Sequence, residues 1–339
     1  MSGGTLDAFP AGSYTLFPVA DNGELFEDFG PYVASISDSG VVAFQATSKG
    51  GGSGVFTAAG GSVSAVLDPS TGPVSDAWSH PDVNRDGSTC FYGTLRSGRR
   101  AVILVRDGQL ITVADATGPR GPTINDRGLV AYQVESDEGR SGLFTGGGRE
   151  ISRIAETGGD FSGFHGLPVI NRDGSVVFRA DRTAGGQGIY VGDGRRLIAI
   201  AETGDRFADL GRFPILNDLG TVAFCATLRD GRSGVFTWSE GATATVIDSS
   251  GAFESFRGVL LNNPGRIVFY ATPRGGRLGI FSGPDPVTDC LLSLGAPLFG
   301  SALVDFALNP VSINNSGQIA VRVVLADKRH LVLRADPAT

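Results

Sequence analysis

Three histidines are the side chains with the clearest potential for acid–base chemistry in this sequence. His80 and His165 fall in predicted loops, and His330 falls in a segment that is typical of a strand. Because an imidazole titrates near neutral pH, either loop histidine could act as a general base. The alternative is that both are simply exposed loop residues. We expect His330 to be structural.

A recurring position supplies the second set of candidates. A predicted turn returns seven times, and its turn residue is an asparagine in six copies and Ser37 in the first. The position five residues before the turn residue holds Tyr32, Ser79, Arg120, Gly166, Arg212, Arg257 and Asn309. Guanidinium groups at one repeat position would suit a carboxylate, sulfate or phosphate, because each can donate two parallel charge-assisted hydrogen bonds. We therefore predict that Arg120, Arg212 and Arg257 bind ligand, together with Tyr32. The alternative is that these arginines pair with neighbouring acidic residues and close a central tunnel.

Motifs for metals and cofactors are missing from the sequence. Asp82–Gly87 matches the start of a calcium loop, but Gly93 stands where the bidentate glutamate should be. There is no glycine-rich phosphate loop between a strand and a helix, no nucleophile elbow, and no His-x-x-x-His or Cys-x-x-Cys pair. The three cysteines lie far apart in apolar segments, which is typical of core residues. We expect neither a metal nor a cofactor.

An internal repeat sets the spacing of these candidates. Its pattern is an apolar residue, asparagine, two variable residues and glycine, followed by an apolar run. The seven copies are Ile36–Gly40, Val83–Gly87, Ile124–Gly128, Ile170–Gly174, Leu216–Gly220, Leu261–Gly265 and Ile313–Gly317. An asparagine side chain caps such a turn and the glycine adopts positive φ, so each copy predicts a hairpin turn between two strands.

The length of the repeat indicates the fold. Successive glycines are separated by 47, 41, 46, 46, 45 and 52 residues, which is the length of a four-stranded propeller blade. Segments such as Gly188–Tyr190 predict the third strand, and alternating segments such as Leu197–Ala201 predict the fourth. No segment has a sustained helical period. The predicted fold class is all-β: a seven-bladed β-propeller that forms a single domain over residues 1–339.

The two ends of the chain predict how the ring closes. The last repeat runs out after its third strand near Leu333, while Tyr14–Asp21 resembles a fourth strand with nothing before it. We expect the N-terminal strand to complete the last blade in a 3+1 arrangement, because this closure removes the exposed edges of an open array.

The repeat resembles the bacterial tandem-repeat proteins that follow the pattern N-x-x-G-x-x-A-F, and the resemblance covers essentially the whole chain. Ser37 departs from the pattern in the first copy, Thr89–Phe91 in the second and Val321 in the last. The resemblance implies a propeller fold and no defined activity. Many proteins of this type look exported and surface-anchored.

Charge and composition limit the expected partners. The chain has 28 basic and 35 acidic residues and no basic run, so we expect no nucleic acid partner. The most apolar region, Cys290–Leu308, contains Pro297 and Asp305, so we expect no membrane span. No basic region followed by an apolar stretch opens the sequence, which predicts a cytoplasmic protein; export is the alternative if a signal peptide was removed. We also expect a monomer.

Strand order assigns the connections to two faces. Those from the fourth to the first strand and from the second to the third lie on one face, the top face; the Asn-x-x-Gly turns lie on the other, the turn face. Longer loops converge at the top, so we predict that an anionic small molecule, glycan or peptide binds at the top-face channel mouth. One alternative is a lyase or hydrolase on an anionic substrate, with His80 or His165 as base and arginines stabilising negative charge. The other is a protein-interaction scaffold.

Aromatic residues also recur in the predicted long loops that lead into several blades. They are Phe26, Phe29, Phe161, Phe164, Phe207, Phe253 and Phe256. They could stack on a sugar, but their blade period favours packing between blades.

Overall fold

A computed structural model describes residues 9–11, 13–23, 25–29, 31, 33–67, 70–115, 121–135, 139–148 and 150–338. These residues form seven antiparallel sheets, which are the blades of a β-propeller. The predicted all-β fold class and the seven-bladed architecture are confirmed.

The strands have these bounds in chain order: β1 Phe9–Ala11, β2 Tyr14–Asp21, β3 Phe26–Asp28, β4 Ser35–Ile36, β5 Val42–Ser48, β6 Ser53–Ala59, β7 Ser62–Ala65, β8 Val74–Ala77, β9 Asp82–Val83, β10 Thr89–Leu95, β11 Arg100–Arg106, β12 Gln109–Asp115, β13 Thr123–Ile124, β14 Val130–Glu135, β15 Ser141–Gly146, β16 Ile151–Glu156, β17 Phe161–Ile170, β18 Val176–Arg182, β19 Gln187–Gly192, β20 Leu197–Glu202, β21 Phe207–Leu210, β22 Ile215–Leu216, β23 Val222–Leu228, β24 Ser233–Ser239, β25 Ala242–Asp248, β26 Phe253–Leu261, β27 Ile267–Pro273, β28 Gly279–Phe281, β29 Cys290–Ser293, β30 Pro297–Leu298, β31 Ser301–Ala307, β32 Ile319–Leu325 and β33 His330–Pro337.

The blades follow one another along the chain. Blade 1 contains β3 to β7, blade 2 β8 to β12, blade 3 β13 to β16, blade 4 β17 to β20, blade 5 β21 to β25 and blade 6 β26 to β29. Blade 7 contains β30 to β33 and is completed by β2 and β1. In blades 1, 2 and 5 the first strand is split into two short pieces, and both pieces pair with the second strand.

The N-terminal strand closes the ring. β2 pairs antiparallel with β33, from Tyr14 opposite Pro337 to Asp21 opposite Leu331. Leu16 is fully buried in this seam. The predicted 3+1 closure is therefore confirmed. β1 adds a further strand outside β2, which the sequence pattern did not predict.

The repeated turns have the predicted hairpin chemistry. Asn84 Oδ1 accepts the N–H groups of Asp86 and Ser88 at 3.1 and 2.9 Å. Gly87 adopts a φ of 82° and donates its N–H to the Asn84 carbonyl at 3.0 Å. Where Ser37 replaces asparagine, its Oγ still accepts one N–H, from Val41 at 3.2 Å. The turn residue thus satisfies backbone donors that the hairpin would otherwise leave unpaired.

The recurring aromatic residues pack in the core between blades. Phe161 and Phe164 lie edge-on to Phe178, with ring centroids 5.8 and 5.6 Å away. Leu143 and Ala155 of blade 3 belong to the same buried cluster. Each such ring pair adds about 0.5–1.5 kcal/mol beyond simple burial. The expected packing role is confirmed, although all of these residues except Phe29 lie in strands rather than in loops.

The part of the chain that the structure describes contains no helix that is long and apolar enough to cross a membrane.

Candidate functional site

The central channel opens on the turn face into a cavity of about 150 Å³. All seven turns contribute to its wall. The residue directly after the turn asparagine, or after Ser37 in the first turn, lines the rim of this cavity. We call these the rim residues: Asp38, Arg85, Asp126, Arg172, Asp218, Asn263 and Asn315. The sequence pattern favoured the opposite mouth, so this cavity is a feature that only the structure reveals.

Hydrogen bonds from the turn asparagines tie neighbouring blades together around this cavity. Asn84 Nδ2 donates to the carbonyl of Asn125 at 3.2 Å, and Asn125 Nδ2 donates to that of Asn171 at 3.0 Å. The same bond runs from Asn217 to Asn262, from Asn262 to Asn314 and from Asn314 to Ser37. Because these five asparagines each cap their own turn and also bond the next, they hold most of the rim in a fixed arrangement.

Towards the top face, the first strand of a blade is irregular five residues before the turn residue. The pairing of β26 with β27 skips Arg257, and Arg212 lies in the gap between β21 and β22. In blade 4 the pairing of β17 shifts between His165 and Val169. A bulge or gap of this kind interrupts the ladder, and Arg212 and Arg257 have no pairing partner in their sheets.

The structure describes two of the four predicted ligand-binding residues. Arg212 and Arg257 are exposed. Neither guanidinium has a hydrogen bond or an ion pair with another described residue, so the alternative in which they pair with acids to close the tunnel finds no support for these two. Tyr32 and Arg120 lie outside the described residues. At the equivalent position of blades 2 and 7, Ser79 and Asn309 are buried.

Gly166 brings blade 4 into backbone contact with Arg212 of blade 5. Gly166 adopts a φ of 77°, and a Cβ at this position would lie 1.9 Å from the carbonyl oxygen of Arg212. Only glycine allows this approach. His165, the residue before Gly166, therefore directly precedes the point where the backbones of blades 4 and 5 meet.

His165 has a carboxylate partner. Its Nε2 lies 2.7 Å from Asp181 Oδ2 on the adjacent strand, β18. Arg179 Nη1 lies 3.8 Å from the other oxygen of Asp181, and Arg179 Nε donates to the Leu210 carbonyl of blade 5. A carboxylate on one ring nitrogen orients an imidazole and stabilises the imidazolium formed when the ring accepts a proton. His165 therefore has the geometry of an oriented base.

His80, the other predicted base, lies in a structural setting. Its Nδ1 accepts the Val33 N–H of blade 1 at 2.9 Å. On its other side is Gly121 of blade 3, where a Cβ would lie 3.3 Å from the ring. Burial lowers the pKa of His80 to about 4, so the ring is neutral at pH 7. These contacts hold the imidazole of blade 2 between the blades on either side, blades 1 and 3.

His330 joins blade 7 to blade 1, in agreement with the structural role expected for it. Its Nδ1 lies 2.6 Å from Asp28 Oδ1. Burial raises the pKa of Asp28, but the hydrogen bonds from His330 and from the Phe29 N–H outweigh burial and leave that pKa below its usual value.

Asp82 is a buried carboxyl group in the wall of the turn-face cavity. Its two oxygens accept the N–H groups of Val83 and Ile124, each at 2.8 Å. Burial nevertheless raises the pKa of Asp82 to about 7. Among the residues that the structure describes, no three histidine, cysteine, aspartate or glutamate side chains gather as a metal site.

Two features of these mouths were missed from the sequence. The charged rim residues follow the turn asparagine at a fixed offset, so the repeat alone could have revealed Arg85, Asp126 and Arg172. The partnership of His165 with Asp181 depends on how β17 pairs with β18, which the local sequence does not specify.

The model of one protein family, described as "Family of unknown function (DUF7453)", matches residues 36–330. No curated protein matches the chain.

Solved structures that resemble this chain are β-propellers. Their sequence identity to it is low, so the similarity concerns the fold alone. An oligogalacturonate lyase from Vibrio parahaemolyticus has a TM-score of 0.62 at 10% identity, with 97% of this chain and 96% of that chain covered. The β-propeller domain of the Trilobed protease from Pyrococcus furiosus has a TM-score of 0.60 at 10% identity, with 91% and 97% covered. That domain is described as having an open velcro topology, whereas β2 closes the ring here.

Proposed function

The chain belongs to the family of unknown function DUF7453, and we propose that it binds an anionic small molecule, glycan or peptide at the top-face channel mouth. Arg212 and Arg257 are its main contacts in blades 5 and 6. Arg120 and Tyr32, at the same repeat position in blades 3 and 1, complete the proposed set.

One observation carries this proposal. Arg212 and Arg257 occupy equivalent positions in adjacent blades, and both guanidinium groups are exposed without a carboxylate partner among the described residues. Several other surface arginines are neutralised: Arg232 pairs with Asp230 and Asp248, and Arg329 pairs with Asp327. Two uncompensated guanidinium groups at one mouth favour a ligand with carboxylate, sulfate or phosphate groups.

The test compares two double variants of the full chain. Arg212→Ala/Arg257→Ala removes the proposed contacts, and Arg195→Ala/Arg196→Ala removes two exposed arginines from the turn between β19 and β20 on the turn face. We choose an oligogalacturonate as the first glycan probe, because one similar structure is an oligogalacturonate lyase, and inorganic sulfate as the small-anion probe. Calorimetry should give at least about a tenfold weaker affinity for the first double variant only. Equal affinities for both double variants would refute the proposal.

A second proposed function is a lyase or hydrolase reaction on the bound anion. One observation favours it, the hydrogen bond between His165 and Asp181. Under this proposal His165 takes the substrate proton, Asp181 stabilises the resulting imidazolium, and Arg212 neutralises the developing negative charge. His80 was an equal candidate from sequence, but a ring that accepts a backbone N–H and is held neutral by burial is less suited to this role.

Turnover would be measured as new reducing ends released from the oligogalacturonate probe. His165→Asn should reduce the rate by about two to four orders of magnitude while retaining binding. Asp181→Asn should reduce it less and shift the pH dependence of kcat. Turnover that survives in His165→Asn would eliminate this mechanism, and the loss of turnover in His80→Gln with full binding would transfer the role to His80.

A further inference from the structure

The rim residues on the turn face are linked from blade to blade by a chain of hydrogen bonds. The backbone N–H of one rim residue donates to the side-chain oxygen of the next. These bonds run from Arg85 to Asp126, from Arg172 to Asp218, from Asp218 to Asn263, from Asn263 to Asn315 and from Asn315 to Asp38, at 2.7–3.0 Å. Each acceptor is an aspartate or an asparagine.

The chain of bonds stops at the two rim positions that hold arginine. A guanidinium cannot accept a hydrogen bond, so the N–H groups of Asp38 and Asp126 have no acceptor among the described residues. The guanidinium groups of Arg85 and Arg172 also have no partner there. Each break thus leaves a backbone donor next to a cation. We call these breaks the Arg85 gap and the Arg172 gap.

The carboxylates of the rim are not equivalent. Asp38 and Asp218 use both oxygens within the rim, because their second oxygens accept Asn315 Nδ2 and Asn263 Nδ2, each at 2.7 Å. Asp126, which lies between the two gaps, has one oxygen bonded to the Arg85 N–H. Its other oxygen has no partner among the described residues. Around blades 2, 3 and 4, the rim therefore presents a cation, an anion and a second cation.

We propose that the turn-face cavity is a binding site for an acidic amino acid. The two carboxylates of the ligand would occupy the Arg85 and Arg172 gaps, each accepting from a guanidinium and a backbone N–H. Its ammonium group would donate to the unbonded oxygen of Asp126. This site is separate from the one proposed on the top face and does not depend on it.

Charge separates this ligand from simpler anions. The rim holds three aspartates and two arginines, so it has a net charge of −1 when all are ionised. A dicarboxylate without an ammonium group would place two negative charges beside Asp126 with nothing to compensate that carboxylate. Asp82, in the cavity wall, has both oxygens bonded to backbone N–H groups and so does not compete for the ammonium group.

The experiment is calorimetry of the full chain with L-aspartate, L-glutamate, succinate and glutarate. We expect at least one of the two amino acids to bind at least about tenfold more tightly than the dicarboxylate of the same length. Arg85→Ala and Arg172→Ala should each weaken that binding by a similar factor. Asp126→Asn should weaken binding of the amino acid but not of the dicarboxylate. Arg127→Ala is the matched control, because Arg127 is an exposed neighbour that pairs with Asp173, and its affinity should be unchanged.

Three results would overturn the proposal: no binding of either amino acid, unchanged affinity in both arginine variants, or equal weakening of amino acid and dicarboxylate in Asp126→Asn. Circular dichroism and the melting temperature of each variant separate loss of the site from loss of the fold. Binding that persists in Arg212→Ala/Arg257→Ala keeps this result independent of the top-face proposal.

Discussion

Asp82 differs from its counterparts in the other blades. The same position, two residues before the turn residue, holds Ser35, Thr123, Val169, Ile215, Leu260 and Ser312. Asp82 and Thr123 have the same structural role at this position, because each side chain accepts a hydrogen bond from a backbone N–H of the next blade. Only Asp82 does so with a group that can ionise, and no cation among the described residues pairs with it. A buried carboxyl group in this setting favours its protonated form.

This setting predicts a pH dependence of stability. The pKa of Asp82 is raised to about 7 in the folded chain and is about 3.9 in an unfolded one. The folded state therefore holds a proton that the unfolded state has released. The contribution of Asp82 to stability is fully present below about pH 4 and is lost as the pH rises through 7, with a slope of at most about 1.4 kcal/mol per pH unit.

Urea unfolding between pH 4.5 and 8 would check this, because that range covers most of the interval between the unfolded pKa of about 3.9 and the folded pKa of about 7 and extends past its upper end. Asp82→Asn should lose less stability across that range than the parent chain. Asp86→Asn, in the exposed part of the same turn, serves as the control and should follow the parent. Parallel curves for Asp82→Asn and the parent would contradict the assignment.

At the scale of elements, the contact between Gly166 and Arg212 links β17 to blade 5 at the top mouth. A side chain at position 166 would meet a backbone carbonyl, which cannot rotate away, and would also have to adopt positive φ. Gly220 shares the positive φ but has open space where a Cβ would lie. Substitutions at the two glycines therefore separate the free-energy cost of a positive φ from that of a steric clash.

Gly166→Ala should destabilise the chain clearly more than Gly220→Ala. The Gly220 change carries mainly the cost of a left-handed backbone, about 1–2 kcal/mol. The Gly166 change adds a displaced strand, so we expect several-fold weaker binding at the top mouth as well. Thermal unfolding and the calorimetric assay of the top-face ligand measure both effects. Equal melting temperatures for the two variants would show that the close approach at Gly166 is not required.

The hairpin turns could be predicted from the sequence because the residues that form each turn lie close together along the chain. The turn residue Asn84 and Gly87 lie within four residues of one another, so the hairpin and its period could be predicted directly. The irregular pairing of β17 and β26 could not be predicted in this way, because it depends on the register of each strand with the next strand of its blade. The same limit applies to the site: the repeat identified Arg212 and Arg257, but the bond between His165 and Asp181 needed the strand register.

At the scale of the whole molecule, the ring depends on a seam between the two ends of the chain. Every other blade is built from consecutive segments, whereas blade 7 recruits β2 from the N-terminus. Without β2, the backbone groups along β33 would form an exposed edge. That residues 1–339 form a single domain stays a prediction, and a ring closed by both ends predicts one cooperative unfolding transition.

A substitution in the seam tests both points. Leu16 is fully buried, while its neighbour Thr15 is only partly buried and faces Asp336 across the pair of strands. Leu16→Ala should cost about 2–5 kcal/mol because it leaves a cavity where β2 docks, and Thr15→Ala should cost much less. Urea unfolding followed by tryptophan fluorescence, with Trp78 in blade 2 and Trp238 in blade 5 as reporters, measures the loss far from the seam. If Leu16→Ala lowers the unfolding midpoint at both distant blades together, the seam stabilises the ring as one unit; a small loss, or separate transitions, would mean that the blades do not depend on this closure.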